Sequence, residues 1–172
     1  MKYIFVDPSG NFNEGKGHTG IACIEDFNWD TLKYISITAN KYKTRLDYWK
    51  AIMGYIHDNI FYGDTPSTAE NTLVIIESFT IRTQGFLLGK MPETIQFIGA
   101  LEFILELYNV KYVLQTPSQA KSRFKDEDLT KYIPNFEKRG NGRYYLKTKI
   151  VNDHVRDALK HLLYFMKYKK EI

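Results

Sequence analysis

The chain has a single cysteine and no apolar run of the roughly twenty residues that a membrane-spanning helix needs. Cys23 alone excludes an internal disulfide and points to a reducing compartment. Set between Ala22 and Ile24 in a strand-like pattern, it reads as a buried, inert thiol. At the N-terminus one lysine precedes a four-residue apolar run, too short for a secretory signal. The expectation is a soluble cytoplasmic protein with no membrane contact. Internal repeats, low-complexity tracts and inter-domain linkers are also missing, so residues 1–172 read as one domain. Nor is charge strongly one-sided: 24 Lys and Arg stand against 20 Asp and Glu, a net +4, which is weak grounds for a nucleic-acid partner.

What is present is a globular composition. Hydrophobic residues make up 44% of the chain, which argues against disorder. Aromatics reach 15%, with 13 Tyr and 11 Phe, a level that suits a Tyr-rich core or interface better than base stacking alone. Basic residues cluster where acids are absent: Lys138, Arg139, Arg143, Lys147 and Lys149 fall in one Gly-containing stretch.

Hydrophobic periodicity predicts strands over 2–7, 20–25, 32–38, 72–77 and 110–115. It predicts helices over 44–62, 92–108 and 151–168, with short helical pieces at 117–124 and 126–132 and a loop or hairpin at 134–149. The last helix should bury Val151, Val155, Ala158, Leu159, Leu162 and Met166. Helix 92–108 is apolar nearly all round; it either covers the sheet with one face and a second subunit with the other, or lies sandwiched within the monomer. Three leading strands followed by alternating helices and strands imply an α/β fold with a mixed five-stranded sheet and helices on both faces.

The chemistry-bearing residues sit at the ends of these elements. Asp7 closes the first strand, and Glu77 closes the run Leu73-Val74-Ile75-Ile76. Asp153, His154, Asp157 and His161 fall early in the last helix, the last three sharing one edge that flanks the apolar stripe, at the border of core and solvent. Carboxylates at strand ends with an acidic helix edge suit hard divalent cations in phosphodiester hydrolysis. Bland readings exist: Asp7 before Pro8 suits a turn, and Asp153 suits the positive end of a helix. Glu77 is harder to dismiss, because an acid after four apolar residues is costly if buried unpaired.

These residues resemble the RuvC family of Holliday-junction resolvases, in the ribonuclease H-like superfamily. The opening Asp7-Pro8-Ser9-Gly10 with Thr19-Gly20 is similar to the family's D-P-G…T-G start. Gln96-Phe97-Ile98-Gly99-Ala100 resembles its Q-x-x-G helix, Thr116-Pro117-Ser118-Gln119-Ala120-Lys121 its P-x-x-x-K segment, and His154-Val155-Arg156-Asp157-Ala158-Leu159 its closing H/D-x-x-D-A motif. The resemblance implies a ribonuclease H-like domain that dimerises, binds four-way junctions or other branched DNA, and nicks it with two Mg²⁺ ions, for which Mn²⁺ substitutes. It implies that Asp7, Glu77, His154 and Asp157 are the catalytic and metal-binding residues, with Asp153 a further ligand. Candidate phosphate contacts are Arg82, Lys121, Lys125, Lys138, Arg139, Arg143, Lys147 and Lys149. The chain departs from the pattern in a longer Gly10–Thr19 segment and in placing an aromatic, Phe79, two residues after Glu77. Looser matches elsewhere suggest a divergent, phage-encoded member working in a host cytoplasm. Rival readings are a hybrid ribonuclease or a flap or branch endonuclease with the same metal residues, and a catalytically inactive DNA-binding module. Actin-like ATPases share the sheet order but need a second such domain.

Overall fold

The computed structural model describes residues 1–9, 11–12, 15–61, 67–79 and 93–168. Five strands, β1 (Lys2–Asp7), β2 (His18–Glu25), β3 (Asn28–Thr38), β4 (Thr72–Glu77) and β5 (Lys111–Gln115), form one sheet in the order β3-β2-β1-β4-β5. The first three make an antiparallel meander, whereas β1, β4 and β5 run parallel. Among the described residues six α-helices accompany them: α1 (Arg45–Phe61), α2 (Ser67–Glu70), α3 (Glu93–Leu107), α4 (Pro117–Lys121), α5 (Asp126–Tyr132) and α6 (Asp153–Tyr168). The fold is the expected mixed α/β sheet.

Strand alternation divides the core in two. Ile4, Val6, Val74 and Ile76 face α1 and α3, packing with Tyr48, Ile52, Phe97 and Leu101. Phe5, Leu73 and Ile75 face the other way, onto Val155, Leu159 and Leu162 of α6. Helices therefore cover both faces, as their apolar stripes require. Asp7 and Glu77 continue the odd-numbered series, so period two alone aims both acids towards α6.

Two differences from the sequence expectation have physical causes, and the structure also decides between the two arrangements expected for α3. Strand β3 starts at Asn28, not 32, because Asp26 and Phe27 take left-handed conformations (φ 46° and 55°) and turn the chain in two residues. That geometry usually calls for Asn-Gly; here Phe27 stacks on Tyr3 at 4.2 Å between ring centres, which helps hold the turn. The 134–149 segment extends into a small antiparallel sheet of β6 (Phe136–Lys138), β7 (Tyr144–Leu146) and β8 (Lys149–Val151), so α6 begins at Asp153 and not at 151. Helix α3 is not sandwiched: Phe97, Ile98, Leu101 and Leu105 are buried, but Phe103 is 67% and Leu107 64% exposed.

Helix α6 crosses β2 at its closest where Gly20 stands. A Cβ there would lie 2.2 Å from the His154 carbonyl oxygen and 2.5 Å from the Val155 nitrogen. Gly20→Ala should therefore cost about 1–3 kcal/mol by forcing backbone apart. Gly54→Ala, on α1 with nothing within 4 Å, should instead gain up to about 1 kcal/mol of helix propensity. Urea unfolding midpoints that move equally for both variants would show that the close approach is not a constraint.

Candidate active site

Register places the site. Val6 pairs with Ile76 in the parallel β1–β4 ladder, and Glu77 pairs with Gln115 across β4–β5. Asp7, Glu77 and Gln115 thus line up at the carboxyl ends of three parallel strands, the usual edge for a ligand in an open α/β sheet. The turn after Asp7 is pinned: the buried Tyr48 hydroxyl donates to Ser9 O at 2.7 Å, and Ser9 N–H donates to Thr19 Oγ1 at 3.1 Å. Strand β5 runs directly into α4, which Pro117 and the Thr116-x-x-Gln119 capping pair initiate; the Thr116 N–H donates to Gln119 Oε1 at 2.8 Å. Lys121, one turn on, returns over the strand ends.

The Lys121 ammonium lies among three carboxylates, 2.8 Å from Glu77 Oε1, 2.8 Å from Asp157 Oδ2 and 3.7 Å from Asp7 Oδ1. His154 Nδ1–H donates to Asp7 Oδ2 at 2.7 Å. His161 is 1% exposed and bridges Glu77 Oε2 (2.8 Å) and Gln115 Oε1 (2.7 Å) through its two ring nitrogens. Lys160 joins Asp157 (2.8 Å) to Asp126 (2.7 Å), and Arg156 holds the other oxygen of Asp126 at 2.9 Å. The head of α6 is set by Asn152. Its Oδ1 accepts the Val155 N–H at 3.0 Å, and its Nδ2 donates to Ser36 Oγ of β3 at 2.6 Å.

The two strand-end acids differ electrostatically. Burial pushes the Asp7 carboxyl up to about 6, the negative charge of Glu77 adding to it, and the His154 hydrogen bond only partly offsets this. Burial acts on Glu77 in the same direction, but hydrogen bonds from His161 and Lys121 outweigh it and hold that carboxyl at about 2. Burial alone would lower Lys121; the surrounding carboxylates, Asp7 foremost, raise it instead. Burial would lower His154 as well, but its bond to Asp7 prevails and raises it.

Of the residues singled out from sequence, Asp7, Glu77, His154 and Asp157 come together. Lys121 joins them as their counter-ion, not as a free phosphate contact. Asp153 stays out: it is exposed and has no hydrogen-bond partner among the described residues. His161 was expected at the helix border but is buried, because the spacing of four from Asp157 carries it under the sheet edge to Glu77. Gln115 went unnoticed; its signal is a polar residue ending the strand next to Glu77. His18, whose ring stacks on His154 at 5.7 Å and whose buried Nδ1 has no hydrogen-bond partner among the described residues, was also missed. Lys125 is an exposed residue at the head of α5. Lys138, Arg139, Arg143 and Lys147 are exposed on the small sheet; Arg139 pairs with Glu137 at 2.6 Å and lies over the Tyr145 ring at 4.0 Å, and Lys138 reaches Glu127 at 3.7 Å. Phe79 is 46% exposed just beyond Glu77, and Arg82 falls outside the described residues.

Among the described residues no group of three His, Cys, Asp or Glu side chains is gathered to hold a metal ion as it stands. The Lys121 ammonium fills the space between the carboxylates instead. The donor chemistry nevertheless fits a hard cation, since oxygens from three acids already surround one positive charge. Also among the described residues, no helix is long and apolar enough to cross a membrane.

The sequence matches no family model and no curated protein. Solved structures do match. A Thermus thermophilus RuvC in complex with a Holliday junction substrate superposes with a TM-score of 0.64 at 14% identity, covering 99% of this chain and 95% of that one. The fold is RuvC-like. A second Thermus thermophilus RuvC structure agrees, with a TM-score of 0.55, 16% identity and coverage of 99% and 96%. The RuvC-like fold is thus shared at 14–16% sequence identity.

The Asp7 environment has a measurable consequence without any ligand. Its folded pKa of about 6 exceeds the ordinary 3.8, so between those values the folded chain holds more protons than the unfolded one. Stability then falls as pH rises through that window. Glu77 acts oppositely and lower, its contribution being lost only as pH falls from 4.5 towards about 2. In chelator, Asp7→Asn should exceed the native chain in stability by about 2–3 kcal/mol near neutral pH, the gap closing as pH drops to about 4. A gap independent of pH in urea titrations would contradict the raised carboxyl.

Proposed function

We propose that this chain is a divalent-metal-dependent endonuclease for branched DNA, four-way junctions in particular. The observation that carries the reading is the meeting of Asp7, Glu77 and Asp157, from β1, β4 and α6, around one cation at the carboxyl ends of parallel strands. The RuvC-like fold supports it, as does the Holliday junction bound by the Thermus protein.

In this reading Asp7, Glu77 and Asp157 would hold Mg²⁺ or Mn²⁺, two ions per site, and Lys121 would serve as a phosphate contact. Bound there, such ions stabilise charge on the phosphodiester and favour ionisation of attacking water. The chain's own groups do the rest. His161 fixes one oxygen of Glu77 so that the other stays turned to the site. His154, held through Nδ1 by Asp7, keeps Nε2 for a metal, a water or a proton. Lys125, Lys138, Arg139, Arg143 and Lys147 supply phosphate contacts.

The test is cleavage of matched four-way, Y-shaped and linear DNA with Mg²⁺, with Mn²⁺ or in chelator. The four-way substrate should be nicked preferentially and only with metal. Asp7→Asn should lower the rate by about a hundredfold or more, the several kcal/mol that metal chemistry contributes. His154→Asp should retain activity that His154→Ala loses. Metal-independent nicking, or full activity of Asp7→Asn, would rule the reading out.

The exposed Phe103 and Leu107 on α3, with the neighbouring Tyr108, support a two-fold interface that sets two sites on one DNA. The native protein should sediment as a dimer at micromolar concentration, and Phe103→Lys should give monomers that nick single strands without paired incisions. A native monomer that stays so on junction DNA would remove this part of the proposal.

A further inference from the structure

A cavity of about 480 Å³ lies between the free edge of β3 and the small sheet, away from the carboxylate cluster. Its walls carry Trp29, Tyr34 and Tyr55 and three lysines, Lys33, Lys147 and Lys149, against one acid, Asp30. The Tyr34 hydroxyl donates to Leu146 O at 3.2 Å, tying β3 to β7 beside the cavity. The rim is braced where Asn135 and Lys147 hold left-handed conformations (φ 59° and 58°) and the Lys147 N–H donates to Asn135 O at 2.9 Å. Such a hollow falls in the size range of small-ligand sites, about 300–1,000 Å³.

Its chemistry narrows the occupant. Aromatic faces take flat rings, and lysines around them take anions. A peptide strand adding to the β3 edge would use main-chain hydrogen bonds and have no need of this charge. A base stacked within a duplex has no free face to offer. We propose that this cleft receives an unpaired nucleotide, the base against Trp29 and Tyr34 and the phosphate on Lys33 and Lys149. The proposal rests on the DNA-cleaving reading for its source of unpaired nucleotides, which branch points supply. It adds a second DNA site joined to the first by covalent chain: β8 leaves the cleft wall at Lys149 and reaches α6 through Asn152, whose side chain is anchored on β3.

The test uses the Asp7→Asn protein, so that binding is read without cleavage. Of the chain's two tryptophans, Trp49→Phe leaves Trp29 as the reporter. Titration with oligothymidylate should quench its emission saturably, and Trp29→Phe should abolish the response of the protein that keeps Trp49. Lys33→Ala with Lys149→Ala should flatten the dependence of log affinity on log salt by about 1.4, roughly 0.7 for each single-strand phosphate that a lysine no longer neutralises. A 5-iodouracil oligonucleotide should photo-crosslink to the peptide carrying Trp29 and Tyr34. Absence of binding, or binding with unchanged Trp29 emission and salt slope, overturns the cleft. Quenching in a protein whose native form cuts no DNA leaves the cleft standing and removes the enzyme reading, and cleavage without quenching does the reverse.

Discussion

One ammonium held by three carboxylates organises this molecule. Asp7 and Glu77 are buried at the ends of adjacent strands, where unpaired like charges would repel each other with little water to screen them. Lys121 makes that arrangement tolerable, and nearly every neighbouring detail serves to bring it there. The short helix α4 is started by Pro117 and capped by Thr116 and Gln119, so that Lys121 emerges within one turn of β5. Helix α6 delivers Asp157 only because Gly20 has no side chain and Asn152 fixes the first turn on β3. A cation is thus already part of the fold. In the proposed reading the same three acids would hold a divalent ion, and Lys121 would then be available to a phosphate.

The acids are not equivalent, and the difference has a structural source. Glu77 has two strong donors, His161 from beneath and Lys121 from above, and remains firmly ionised. Asp7 has His154 and a longer contact to Lys121, and burial, with Glu77 charged beside it, carries the carboxyl up to about 6. Environments that push two carboxyls apart in this way are common where chemistry is done, because they let one group stay charged while the other responds.

How much of this was legible in the sequence depends on the range of the interaction. Strand ends, the order of elements and the apolar stripes are local patterns, and Asp7, Glu77, His154 and Asp157 could be picked from them. The shared facing of Asp7 and Glu77 follows from period two once the strands are placed. What local pattern could not carry was partner identity. Lys121 reads as a phosphate contact, and its role as counter-ion to three carboxylates shows only when β5 is laid beside β4. His161 reads as a flanking polar group until the helix tilt is known, and Gln115 only matters because it pairs with Glu77 in register. The Asp26-Phe27 turn was hidden because its left-handed residues lack the usual Asn or Gly and lean on a stacked tyrosine instead.

The two cores also separate the functional surfaces. Helix α6 and the small sheet lie on the face of the sheet packed by Phe5 and Ile75, whereas α1 and α3 lie on the face packed by Val6 and Ile76. The exposed Phe103 and Leu107 therefore project from the side opposite α6. In the proposed dimer a second subunit seated on α3 would lie across the sheet from α6 and the small sheet. In the proposed reading two sites open to one branched substrate need that separation, and strand alternation supplies it by setting α3 and α6 on opposite faces of the sheet.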